Sequence, residues 1–137
     1  MTNVQIQQRG IKASKVVYPD LSYQLTGILF ATHNDLGRFC NEKQYGDRVE
    51  KYLVENNIGY EREKVLPVSF DGEGIGRNKA DFLIEDKVIL ELKAKRIISR
   101  EDYYQTKRYL VALNKELGIL VNFQQRYLAP KRILNVI

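Results

Sequence analysis

A glutamate and a lysine interrupt an aliphatic run at Val88-Ile89-Leu90-Glu91-Leu92-Lys93-Ala94. A run so rich in aliphatic and β-branched residues reads as a buried strand. Side chains alternate along a strand, so Glu91 and Lys93 share one face and Leu90 and Leu92 the other. A carboxylate and an ammonium inside a core strand carry a desolvation cost. A plain structural ion pair is the simplest account of them. A site for metal-assisted phosphodiester cleavage is the account that gives the cost a purpose.

Asp81 sits near the start of the preceding strand-like run, Lys79 to Ile84, and Glu85-Asp86-Lys87 separates that run from Val88. A three-residue loop makes the two strands antiparallel neighbours and sets Asp81 directly opposite Glu91, on the face of Lys93. A two-residue loop would turn Asp81 to the other face, so the site requires an odd loop length or a bulge. Two adjacent carboxylates repel, and one must hold a proton unless a cation intervenes. Mg²⁺ suits the place, with Mn²⁺ as a substitute, because it takes oxygen ligands and needs only one or two protein carboxylates. The candidate metal ligands are Asp81, Glu91 and the Leu92 backbone carbonyl. Such an ion activates water and stabilises charge on a reacting phosphate. Lys93 can orient that water or neutralise a phosphate oxygen. Glu42 can complete the site from an earlier helix, directly or through water; a carboxylate at a helix start also simply opposes the helix dipole.

The rest of the composition narrows the chemistry. The chain has 137 residues, 44% hydrophobic and 28% charged, which suits one soluble globular domain. No run is apolar enough to span a bilayer. The polar segment Met1 to Val17 has no signal-peptide core, so a cytoplasmic setting is expected. The single Cys40 excludes an internal disulfide, and with only His33 beside it a structural zinc is not expected. His33 itself reads as a helix-face residue. Net charge is +5, compatible with a polyanionic partner. The cations cluster: Lys93, Lys95, Arg96, Arg100, Lys107 and Arg108 are opposed only by Glu101 and Asp102, and Arg126, Lys131 and Arg132 follow near the C-terminus. This is either a solvated basic face or a phosphate-contacting rim formed by Lys95, Arg96, Arg100, Lys107, Arg108 and Arg132. Tyr103 and Tyr104 have the chemistry to stack on bases, although most of the nine tyrosines read as core and rim residues.

These residues need a scaffold. Residues 1–17 read as an arm. A first helix is expected from about Asp20 or Ser22, either of which can cap it. Leu21, Leu25, Ile28, Leu29 and Leu36 form its apolar stripe, and Asn34-Asp35-Leu36-Gly37 ends it. A second helix runs from about Asn41 to Asn56 on Tyr45, Val49, Tyr52 and Leu53, with Glu42 one turn before Tyr45. A strand from Tyr60 to Phe70 carries Pro67, an edge signal. Asp71 to Gly76 reads as a flexible turn rather than a phosphate cradle, since it joins two strand-like runs. After the strands from Lys79 and Val88 come a helix over Arg100 to Asn114, a buried strand over Leu117 to Phe123, and a last strand over Arg132 to Ile137. The order αα-βββ-α-β-(β) is that of an α/β or α+β domain with a mixed sheet over residues 18–137.

Asp81, then nine residues, then Glu91-Leu92-Lys93 resembles the signature of the PD-(D/E)XK nuclease superfamily. Within it, the chain resembles the GxxExxY protein family from about Tyr18 to Ile137. His33, Leu36-Gly37 and Glu42-Lys43-Gln44-Tyr45 carry the first part of that likeness. Asp81-Phe82-Leu83-Ile84, Glu91 to Ala94, Gln105 and Tyr109-Leu110 continue it, and Gly118 to Phe123 and Lys131-Arg132-Ile133 finish it. The family's naming glycine, three residues before its glutamate, is Phe39 here, and Ala80 stands where the superfamily often has proline. The resemblance implies a restriction-endonuclease-like fold, a mixed sheet flanked by helices. It implies a metal held by Asp81 and Glu91, with Lys93 assisting the nucleophile. Gln105 and Tyr109 are similar to the Q-x3-Y element of exonuclease-like branches. They lie one turn apart on a helix, placed to orient the lysine or to contact a nucleic-acid backbone; the plain alternative makes Tyr109 core and Gln105 its polar neighbour. The expected function is a divalent-metal-dependent nuclease acting on nucleic acid, DNA ahead of RNA. The alternative is a catalytically inactive nucleic-acid-binding or protein-interaction module on the same fold. No membrane partner is expected, and a homodimer would let two sites address two strands.

Overall fold

The computed structural model describes residues 16–135. Most of the expected N-terminal arm and the last two residues lie outside them. Among the described residues three helices and five strands follow one another as α1 (Pro19–Leu36), α2 (Glu42–Glu55), β1 (Tyr60–Val65), β2 (Lys79–Ile84), β3 (Val88–Lys93), α3 (Arg100–Leu113), β4 (Leu117–Asn122) and β5 (Lys131–Leu134). The strands form one sheet in the order β1-β2-β3-β4-β5. Only β3 and β4 are parallel, joined by the α3 crossover; the other neighbours are antiparallel. The mixed α+β architecture expected from the sequence is therefore present, a mixed sheet flanked by helices as the resemblance implies.

β3 and β4 are buried along nearly their whole length, alternate side chains facing opposite sides, so a helical layer covers each sheet face. Leu90 and Leu92 of β3 and Ile119 and Val121 of β4 pack with Leu25 and Leu29 of α1 and Tyr45, Val49 and Leu53 of α2. Ile89 and Leu120 pack on the opposite side with Tyr109 and Leu110 of α3. By the same alternation Glu91 and Lys93 belong to the α3 side.

The helix ends follow local chemistry. α2 begins with a capping box, Asn41 Oδ1 accepting from the Gln44 amide and Gln44 Oε1 from the Asn41 amide, each at 2.8 Å. α3 has the same device in Ser99 and Asp102. α1 differs from expectation. It starts at Pro19, with Tyr18 in a left-handed conformation at the N-cap and no side-chain cap; Asp20 and Ser22 lie inside the helix. Proline is favoured at the first helical position because its missing N–H and fixed φ cost nothing there. β1 also ends at Val65, short of the expected Phe70, two residues before Pro67. It is an edge strand, as the proline suggested.

The β2–β3 turn decides the site. Glu85 and Asp86 both have positive φ, and the Lys87 amide donates to the Ile84 carbonyl at 2.8 Å. A plain turn of that kind would pair Ile84 with Lys87 and leave Asp81 opposite Leu90. Instead Ile84 pairs with Val88 and Phe82 with Leu90, so three residues separate the strands. One extra residue on the β3 side restores the parity, and the register continued by one pair sets Asp81 against Glu91.

Candidate active site

The β2–β3 ladder stops at Phe82–Leu90, whereas β1–β2 continues to Lys79 and β3–β4 to Lys93. At that gap two carboxylates take over from the backbone. The Asp81 amide donates to Glu91 Oε2 at 2.7 Å, and the Leu92 amide donates to Asp81 Oδ2 at 2.7 Å. The side chains thus hold the strands apart while satisfying amides that a ladder would otherwise pair. The amide and carbonyl of one strand residue face the same neighbour, so the Leu92 carbonyl faces this gap as well.

Glu91 is 2% exposed, Asp81 half-buried. Burial, followed by the charge of Asp81, pushes the Glu91 carboxyl up to about 8. Burial also raises Asp81, against the Leu92 amide and Lys93, which favour its charge. The pair therefore retains a proton near neutrality. Its donors are hard oxygens, they repel one another, and Asp81 reaches a cavity; that set fits a divalent cation, which would replace the proton.

The cavity, about 430 Å³, is lined by Glu42 and Gly46 of α2, Arg62 of β1, Lys79 and Asp81 of β2, and Leu92 of β3, among others. Glu42 is exposed at the first residue of α2, and its charge raises both Asp81 and Glu91. It shares the cavity but not the hydrogen-bonded pair. Among the described residues no group of three or more His, Cys, Asp or Glu is clustered as metal ligands.

Lys93 lies 3.9 Å from Asp102 Oδ1 and favours the charged forms of Asp81 and Glu91. Asp102 was not among the expected site residues. It is buried at the start of α3, bonded to the Ser99 amide at 2.8 Å and to Lys95 Nζ at 2.5 Å. Burial opposes its charge, but Lys95 and Ser99 outweigh burial and hold its carboxyl below the usual range. Asn122, fully buried, accepts from the Lys95 amide at 3.1 Å and donates to the Lys95 carbonyl at 2.7 Å, fixing the chain just after Lys93. Arg62 is a third unforeseen neighbour. Its Nη1 donates to Asp47 at 2.7 Å and Glu50 at 3.0 Å, and its guanidinium lies over the Phe82 ring. A Cβ on Gly46 would collide with that guanidinium. No sequence signal singled out Arg62, and Asn122 entered only within the Gly118–Phe123 stretch of the resemblance.

Tyr109 is buried in the α3 cluster, so the core reading holds for it. It also stands beside the pair: burial, then the Glu91 and Asp81 charges, raises its hydroxyl pKa. Gln105 is half-buried one turn earlier. Of the expected rim, Arg96, Arg100 and Arg108 are exposed and Lys107 lies over the Tyr103 ring. Lys95 is engaged by Asp102. Arg132 is not with them. It lies on β5, beyond β4 from β3, where its guanidinium bonds the Ser22 hydroxyl and the Val17 carbonyl; the α1 start draws it away. His33 is structural, its Nε2 2.9 Å from the Gln125 carbonyl oxygen. Cys40 is half-buried, its thiol 3.6 Å from the Leu36 carbonyl oxygen. The glycine-rich stretch is a turn tied down by Glu73, which accepts from the Ser69 amide at 2.7 Å and from Asn78 at 3.1 Å.

A five-stranded mixed sheet, parted at one end by two opposed carboxylates with a lysine one step along, defines a class of nuclease-like domain. A profile of the PD-(D/E)XK nuclease superfamily matches residues 19–133, and the chain belongs to that superfamily. No curated protein and no solved structure matches it. No helix among the described residues is long and apolar enough to cross a membrane.

Proposed function

We propose that residues 18–137 form one metal-dependent phosphodiester hydrolase acting on nucleic acid, DNA ahead of RNA, in the manner of the GxxExxY branch that the motifs resemble. The observation that carries this reading is the crossed pair of hydrogen bonds between Asp81 and the Glu91-Leu92 segment at the parted sheet. Asp81, Glu91 and the Leu92 carbonyl would hold Mg²⁺ or Mn²⁺. A divalent ion there supplies Lewis acidity, making water more acidic and offsetting charge on the phosphate. Lys93, held near Asp102, presents an ammonium to the attacking water or a phosphoryl oxygen. Glu42 stands at the cavity mouth, where it accepts a proton or orients water. Lys79 lines the same cavity and would offset the charge of an incoming phosphate, whereas Arg62 is held by Asp47 and Glu50. Tyr109, packed from α3 against Leu83 and Ile89, and Gln105, one turn before it, would serve as positioning residues.

The test is cleavage of single- and double-stranded DNA and RNA with Mg²⁺ or Mn²⁺. Asp81→Asn and Glu91→Gln should abolish hydrolysis, and Lys93→Ala should lower it roughly a hundredfold or more. Activity unchanged in Asp81→Asn and Glu91→Gln refutes the assignment. Metal-independent, salt-sensitive binding without cleavage would instead establish the inactive-module alternative. Light scattering decides whether the chain pairs with a second copy.

A further inference from the structure

A groove of about 840 Å³ runs between α3 and the segment that follows β1. Pro67 and Val68 form one wall; Tyr104, Lys107, Arg108 and Val111 form the other. Those four α3 residues follow i, i+3, i+4, i+7 spacing, so they make one stripe. It lies opposite the stripe that buries Thr106, Tyr109 and Leu110. Tyr104 is 51% exposed and Val111 67%.

Two properties of the groove select its occupant. No acidic residue lines it, and among the described residues neither Lys107 nor Arg108 has a carboxylate within 4 Å. The occupant is therefore anionic. The rest of the lining is largely apolar, and an anion alone gains nothing from it. Duplex nucleic acid stacks its bases inward and offers mainly phosphates along its outside. A single strand offers both: base faces for Tyr104, Val68 and Val111, and phosphates for Lys107 and Arg108. A smaller depression shares Pro67 and Arg108 with the groove and continues to Asn78, whose chain neighbour Lys79 lines the cavity that Asp81 reaches.

We infer that this groove binds single-stranded nucleic acid, with a base on Tyr104 and phosphates on Lys107 and Arg108, and leads the strand towards the carboxylate pair. The inference rests on the nuclease reading and adds its substrate class: a strand whose bases are unpaired on the approach to the site.

The test is fluorescence anisotropy with the full chain in EDTA, using labelled oligothymidine of about 12 nucleotides and a duplex of the same length. The single strand should bind more tightly. Tyr104→Ala should weaken it about tenfold, and Tyr104→Phe should keep most of the affinity. Lys107→Gln should lower the salt dependence. These side chains are on the surface, and circular dichroism checks that each variant folds. Equal or tighter duplex binding overturns the inference, as does an unchanged Tyr104→Ala. A dimer in sedimentation that Val111→Asp dissociates, with oligonucleotide binding intact, assigns the groove to a second copy and also overturns it. EDTA suppresses hydrolysis, so the two readings fail separately. Strand binding without cleavage under any metal would sink the hydrolytic reading alone. Cleavage with Tyr104→Ala binding unchanged would sink the groove alone.

Discussion

Asp81 and Glu91 face each other across a sheet that has come apart between them, each linked to the other's strand by a 2.7 Å bond from a backbone amide. The arrangement fixes both carboxylates without neutralising either. Their repulsion is answered by a proton, or by a cation.

That bears on stability against pH. Burial pushes the Glu91 carboxyl up to about 8 in the folded protein, against an ordinary value of 4.5. Between those values the folded chain holds a proton that the unfolded chain has released. The Glu91 contribution to stability in EDTA should therefore be fully present below the ordinary value and be lost as pH rises to about 8. Asp81, also raised, adds to the decline. Thermal unfolding scans across this range should show it, and Glu91→Gln should flatten the curve. A curve rising with pH in that window would contradict the assigned burial.

A divalent cation should reverse the decline. At about a hundredfold excess over its Kd it should stabilise the chain by about 2.7 kcal/mol. The gain should be smaller at low pH, where protons compete, and should vanish in Asp81→Asn. Thermal shift with Mg²⁺, Mn²⁺ and Ca²⁺ measures this directly. An equal shift in the variant would place the cation elsewhere.

Asp102 separates structural from functional roles. Asp102→Asn keeps an oxygen for the Ser99 amide but removes the charge beside Lys93 and Lys95. It should lower the melting temperature at neutral pH, since the charge it removes favours the fold, and alter the pH profile of cleavage. Asp102→Ala also breaks the capping box and should cost roughly 1 kcal/mol or more. Equal activity profiles for the wild type and Asp102→Asn would remove Asp102 from the account of Lys93.

Gly118 sets how closely α3 approaches the sheet. A Cβ there would lie 2.9 Å from Thr106 Cγ2 and 3.5 Å from Leu110 Cδ1. Thr106 is β-branched and fully buried, so it cannot swing aside. Gly118→Ala should destabilise the chain by about 1–3 kcal/mol in denaturant unfolding. A neutral outcome would mean that the helix has room to move.

Much of this was legible in the sequence because local signals agreed. The aliphatic runs located β2, β3 and β4, and the polar interruption at Glu91 and Lys93 located the site. The three-residue separation supplied the parity that aligned Asp81. Residues whose partners lie far along the chain were not legible. Asn122 reaches Lys95 across 27 positions, and Arg132 reaches Ser22 across 110. Asp102 read as one charge among many because its burial depends on where α3 lands. The α1 start was misread because a proline in the first turn made the expected side-chain cap unnecessary.

Anomalous diffraction from a crystal soaked in Mn²⁺ bears most directly on the central claim. A single strong peak is predicted in the β2–β3 gap, within coordination distance of Asp81, Glu91 and the Leu92 carbonyl oxygen. No peak there, in crystals where Mn²⁺ occupies other sites, would contradict the account.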